Sequence, residues 1–312
     1  MSTPIKTGLI FGEPSELYHG NNAVSSSKLS DFRIAGKLCP RNYQLRHVTK
    51  TVERKKGDYF DFGIFTHAQI LEGPEAFKAI TAFEPATYTN EKGEVKPWSN
   101  NAKVCKEWHE KQAGKIVLTK ADAVLVNTLD AAVFMHPEAR ALTREGTAEV
   151  TFRKVIAGMT LQCRVDKWHP NGVPCLNIEG PVMADLKTCN TIEQFEKDFY
   201  YKRYNFRCAF YLLVAQEVLA ELAGVKPEEI PAPDYVFVVV EKSPPYRVKI
   251  YRPDTDSLEA GKKEVHADLV TLRNCMAANE WPTGTEGVHE IGLQTCQLAK
   301  SNDASDAAIN AA

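Results

Sequence analysis

Apolar residues recur along this chain with two periods, and the two divide it into strands and helices. Strict alternation is clearest within residues 161–188. Leu161, Cys163 and Val165 alternate with Gln162, Arg164 and Asp166, so Asp166 shares a polar face with Arg164. Val182, Ala184 and Leu186 alternate with Met183, Asp185 and Lys187, which puts Asp185 and Lys187 on one face. A strand beginning at Glu149 is expected to pair with this hairpin. Residues 235–253, YVFVVVEKSPPYRVKIYRP, read as two more strands around a Pro-Pro turn. Helical spacing appears at Leu29 and Phe32, with Ile34 fitting less neatly, behind a serine N-cap in Ser25–Ser27. It recurs at 39–48, at Phe60, Ile64, His67 and Leu71, and in 101–112, 120–135, 204–222 and 256–278. Thr191 and Gln194 carry a capping-box pattern before Phe195 and Phe199. Residues 1–17 read as an irregular arm or an edge strand, and the proline-rich 74–100 as a surface excursion. No internal repeat is visible.

Composition narrows the class. The chain has 312 residues, 44% hydrophobic and 25% charged, which is ordinary for a soluble globular protein. Residues 1–283 are expected to form a single domain, with a polar, disordered tail over 284–312. No apolar run approaches the roughly 18 residues of a membrane span. The first residues lack a basic start followed by an apolar stretch, so a cytoplasmic protein is expected. Eight scattered cysteines without a C-x-x-C suit reduced thiols. The net charge of −2 does not point to nucleic acid, but its distribution does. Between Lys28 and Lys56 nine Lys or Arg face only Asp31 and Glu53. This segment is either a solvated basic helix pair or a contact for a phosphate backbone.

Two carboxylates and an ammonium at the ends of neighbouring strands suit a hard divalent cation with a lysine beside a bound water. An isolated D-x-K is more often a solvent-facing pair. The second aspartate on a preceding strand is what raises the functional reading. His67 lies on an apolar helical face and reads as either a core residue or a ligand. Glu149 is either a strand-end surface residue or a group touching the site.

Asp166 followed by Asp185-Leu186-Lys187 resembles the PD-(D/E)XK nuclease core. Six stretches in order resemble the RecE-like exodeoxyribonuclease VIII family of phages and prophages: 18–32, 60–73, 163–168, 183–188, 203–211 and 279–282. The long connection from Asp166 to Asp185 departs from that pattern and looks like an insertion.

The resemblance implies an α/β, restriction-endonuclease-like fold with a mixed central sheet flanked by helices. It implies Mg²⁺, or Mn²⁺ in its place, held by His67, Asp166, Asp185 and the Leu186 carbonyl, with Lys187 acting on a water or on developing charge. The implied reaction digests linear duplex DNA from its ends, 5′ to 3′. It leaves a 3′ single strand for an annealing partner of RecT type. The enzyme would be a trimeric or tetrameric ring with the basic segment facing its channel. Arg164, Arg207, Tyr211 and Arg41 are the candidate DNA contacts. Arg207 stands where many relatives carry glutamine, and its alternative is an ion pair with Glu193 or Glu196. Some related nucleases hold an iron–sulfur cluster, but Cys39, Cys275 and Cys296 do not match that spacing. Rival readings are an endonuclease, a RecB-like processing nuclease, or a non-catalytic DNA-binding protein.

Overall fold

The computed structural model describes residues 5–53 and 58–288, with the backbone alone for 58–61. Residues 289–312 of the expected tail, Arg54–Lys56 of the basic segment and the Phe60 side chain lie outside the described residues.

The six-stranded sheet grows from the alternating segments. Its strands are β1 (Gly8–Ile10), β2 (Thr147–Ile156), β3 (Met159–His169), β4 (Val182–Cys189), β5 (Asp234–Glu241) and β6 (Val248–Tyr251), side by side in that order. Pairing is antiparallel except between β4 and β5, so the sheet is mixed. The arm at the start of the chain does supply an edge strand, β1. Val24 adds a parallel bridge at Leu161.

Helices cover both faces. They are α1 (Ser26–Ser30), α2 (Asp58–His67), α3 (Lys120–Met135), α4 (Pro137–Arg144), α5 (Ile192–Tyr201), α6 (Tyr204–Ala223) and α7 (Thr255–Ala278). On one face Met183, Phe237, Phe152 and Cys163 pack against Phe206 and Phe210 of α6 and Leu272 of α7. On the other, Val182, Ala184, Leu186 and Val238 pack against Leu129 and Val133 of α3 and Leu142 of α4. Two covered faces explain the unbroken apolar run of β5, which must bury both sets of side chains. Helices α6 and α7 lie close because Gly261 has no side chain, and a methyl there would strike the Asn205 carbonyl.

Four expectations change. Ile34 is 54% exposed, because the chain turns into a small hairpin after Phe32. Ile64 is 52% exposed, and Phe65, Ala68 and Ile70 carry the buried face instead. The excursion holds its own small strands, Thr81–Phe83 with Ile116–Leu118 and Thr87–Thr89 with Val95–Pro97. Thr191 caps α5 by accepting the Gln194 N–H, but the Gln194 side chain turns to Asp198, so half of the box forms. Among the described residues no helix is long and apolar enough to cross a membrane.

Candidate metal centre and nucleic-acid cleft

The site forms where the sheet opens. Strands β3 and β4 pair from Val182↔His169 to Ala184↔Lys167. The next pair in that register would set Asp185 opposite Asp166, and there the ladder ends. Asp166 Oδ2 instead accepts the Leu186 N–H at 2.8 Å. On the other side of β3 the β2 ladder also skips a pair: Ala148↔Lys167 and Val150↔Val165 flank Glu149 and Asp166. Glu149 adopts a left-handed backbone, φ 53°. A non-glycine residue there costs about 1 kcal/mol, and such strain clusters at functional sites. The double interruption frees both carboxylates from strand pairing and turns them toward one point.

His67 ends α2, where the helix widens into the π-type turn Ala68–Glu72. Its Nε2 lies 3.0 Å from the Leu186 carbonyl and its Nδ1 3.5 Å from Asp166 Oδ2. A neutral ring with its proton on Nε2 donates to Leu186 O and keeps the Nδ1 lone pair on the carboxylate side. Ligand atoms of His67, Glu149 and Asp166 all lie within 4.8 Å of one another. Asp185 sits deeper, in ion-pair contact with Lys187. The Lys187 ammonium also donates to Leu186 O at 3.1 Å. That carbonyl therefore accepts from both His67 and Lys187, and a cation held by Leu186 O would replace one of them.

The electrostatics are those of crowded acids. Burial, then the neighbouring Asp166, pushes the Glu149 carboxyl up to about 8. Burial and Asp185 push Asp166 above the usual carboxylate range. Burial opposes the Asp185 charge too, but Lys187 and Arg207 hold that carboxyl below its ordinary value. Asp185 Oδ2 is buried and its contact is the Lys187 ammonium. Three carboxylates, an imidazole and the Leu186 carbonyl are donors that fit a hard divalent cation.

A cleft of about 220 Å³ opens beside this centre, lined by Asp166, Glu149, Arg164, Arg207, Tyr211 and the Ser25–Ser27 turn, with His19 at its edge. The structure brings Arg164, Arg207 and Tyr211 together there, but not Arg41. Arg41 is exposed, bonded to Gln44, with its N–H on the Pro282 carbonyl. Arg164 is engaged by Thr151 Oγ1 and the Glu13 carbonyl, lies over the Tyr18 ring, and has an amino group 3.8 Å from Glu149. It is the wall that orients Glu149. The Arg207 side chain makes no hydrogen bond or ion pair among the described residues. Glu193 is taken by Arg247, and Glu196 by Lys249 and Tyr251. Sequence reasoning undervalued Glu149, passed over His19, and read Ser25–Ser27 as a helix cap, which Ser25 is, without seeing its place in the cleft.

A family model described as a PDDEXK-like domain of unknown function (DUF3799) matches residues 25–293. The chain belongs to that family. The match takes in His67, Glu149, Asp166, Asp185 and Lys187, and membership in a PDDEXK-like family supports a nuclease. No curated protein matches the chain. Among solved structures, this PDDEXK-like chain is similar to the crystal structure of a protein described as a putative exonuclease from Eubacterium rectale. The TM-score is 0.57 at 14% identity, covering 92% of this chain and 98% of that one. Identity that low speaks to the fold, and the restriction-endonuclease-like architecture expected from the sequence is the one found.

Proposed function

We propose that this protein is a metal-dependent exonuclease of RecE-like type that hydrolyses linear duplex DNA from its ends. The observation that carries the reading is the meeting of Glu149, Asp166, Asp185, Lys187 and His67 at one opening of the sheet, in a PDDEXK-like chain. His67, Glu149 and Asp166, with Asp185 behind them, would hold Mg²⁺ or Mn²⁺. Such an ion polarises a phosphoryl oxygen and makes a bound water more acidic.

The remaining chemistry belongs to the chain. Lys187, held between Asp185 and the Leu186 carbonyl, offers its ammonium to a water or to charge growing on the phosphate. Arg207 offers a forked donor to phosphate oxygens from across the cleft. Tyr211 presents a ring that can stack on a base. Arg164 keeps Glu149 turned inward.

The fuller reading extends to 5′-to-3′ polarity, a 3′ single strand passed to a RecT-type annealing protein, a trimeric or tetrameric ring and a phage-encoded enzyme of the host cytoplasm. It rests on the resemblance over six stretches of the chain. The test is digestion of end-labelled linear duplex with Mg²⁺, beside a covalently closed circle. Loss of the linear form with the circle intact is expected, and EDTA should stop it. A cut circle would make the enzyme an endonuclease. No hydrolysis of either with Mg²⁺ or Mn²⁺ would overturn the nuclease reading.

A further inference from the structure

A second polar pocket, of about 290 Å³, adjoins the cleft, and His19 lines both. Its cationic walls are Lys28, Arg46 and Lys50, with the His47 ring beside them. Asp31, which accepts from His47 at 2.9 Å and pairs with Arg46 at 3.4 Å, is the carboxylate that answers them. Lys28 and Lys50 have no carboxylate partner among the described residues. Lys28 donates to the Asn21 and Ala23 carbonyls at 2.7 and 2.9 Å, and Lys50 reaches the Asn22 amide oxygen at 3.4 Å. Burial, and then the nearby Lys50, lowers Lys28 to about 8, as expected where cations outnumber anions.

The pocket is also built before any ligand arrives. Asn21 donates to the Leu17 and Tyr18 carbonyls and to Gln162, and accepts the Ala23 N–H. Val24 then joins the sheet through Thr160 and Gln162. The anchored turn holds the Lys28 ammonium on its Asn21 and Ala23 carbonyls, so that this cation is placed at little ordering cost. With three fixed cations to one carboxylate, the pocket suits an anion. It lacks the clustered carboxylates of the metal centre, so it can bind a phosphate but is not equipped to cleave one.

We propose that this pocket holds a backbone phosphate of the nucleic-acid strand, a neighbour of the phosphate placed in the cleft at Asp166. The inference rests on the nuclease reading and deepens it, adding a substrate-binding subsite along the strand. Affinity should then grow with strand length, because a substrate with one phosphodiester cannot reach both places.

The test separates binding from cleavage. Fluorescence anisotropy in EDTA would follow a labelled duplex oligonucleotide binding to the full chain, its Lys50→Gln variant and its Lys50→Arg variant. Lys50 is exposed, so the fold should survive. Lys50→Gln should weaken binding about tenfold at low salt and flatten the slope of log K against log salt by about 0.9, while Lys50→Arg stays near wild type. Turnover of thymidine 5′-(p-nitrophenyl) phosphate should be the same in all three. Equal affinities and parallel salt lines for Lys50→Gln would overturn the proposal. So would inorganic phosphate or thymidine monophosphate binding that depends on Lys50 while duplex binding does not, since the pocket would then serve a free anion. A wild-type chain that binds duplex through Lys50 but hydrolyses nothing would leave the pocket standing and remove the nuclease reading instead.

Discussion

The Asp166 carboxylate receives the Leu186 backbone N–H at 2.8 Å, at the point where strands β3 and β4 stop pairing. A side chain thus does the work of a missing backbone carbonyl, and the same oxygen faces His67. Structure and candidate chemistry meet in one atom, and substitutions can separate them. Asp166→Asn keeps an acceptor for the N–H, whereas Asp166→Ala leaves it unpaired, at a cost of about 1–3 kcal/mol. Both should lose hydrolysis, and only the alanine variant should melt clearly earlier. Two melting curves and one nuclease assay check this.

Asp185→Asn removes a buried charge held by Lys187 and relieves its repulsion of Asp166. Hydrolysis should fall by about a thousandfold, equivalent to ~4 kcal/mol at the transition state. The fold and duplex binding should persist. Wild-type turnover in this variant would remove Asp185 from the site.

The acids also predict a pH dependence for the metal-free protein. Glu149 rises from an ordinary 4.5 to about 8 in the folded chain, so the folded state holds its proton more tightly than the unfolded one. The stability from that proton is present in full below pH 4.5 and is lost as pH climbs toward about 8. Melting temperature in EDTA should therefore fall across that window. Glu149→Gln should fall less, and a saturating divalent cation should flatten the wild-type curve. Identical profiles for wild type and Glu149→Gln would show that the carboxyl titrates normally.

His67 separates a ligand from a packing residue. Its side chain is 27% exposed and touches Asp166 and the Leu186 carbonyl, so truncation empties little core. His67→Ala should lower activity by about 10–100-fold, with partial recovery at higher metal concentration and little change in melting temperature. A large loss of stability with activity retained per folded molecule would favour packing.

Much of this was legible in the sequence because burial writes periodicity. The double-faced β5, the polar faces of β3 and β4 and the extent of α3 follow from apolar spacing. Alternation fails at Asp166. Val165 and Trp168 face the same core, because Glu149 turns left-handed and the ladder skips. A regular two-residue period cannot register such a break, so Glu149 looked like a strand-end residue. Ile64 also misled: its spacing suits a buried stripe, but α2 and the turn after it bury the neighbouring face through Phe65 and Ala68 and leave Ile64 outward. His19 closes the short helix Ser15–Gly20 and Ser25–Ser27 form the capped start of α1, where the sequence showed an N-cap but no periodic signal of a cleft.

Arg207 is the sharpest test of the cleft, since it stands where the RecE-like pattern expected from the sequence carries glutamine. The carboxylates that could have claimed it are occupied: Glu193 pairs with Arg247 at 2.9 Å, and Glu196 with Lys249 at 3.1 Å. Burial disfavours the Arg207 charge, yet the nearby Asp185 carboxylate favours it, and the guanidinium stays a cation at working pH. Its guanidinium lies 5.5 Å from the centre of the Tyr204 ring and lines the cleft with Asp166 and Tyr211. A cation kept in place without an acceptor is suited to one that arrives with the substrate. Arg207→Gln should leave the metal centre intact but weaken duplex binding about tenfold, and should flatten the plot of log K against log salt by about 0.9. Arg207→Lys should restore the slope but not the full affinity, because an ammonium lacks the fork that grips two phosphate oxygens. Titrations of the three proteins at several salt concentrations decide it, and parallel lines of equal affinity would make Arg207 a packing residue over Tyr204.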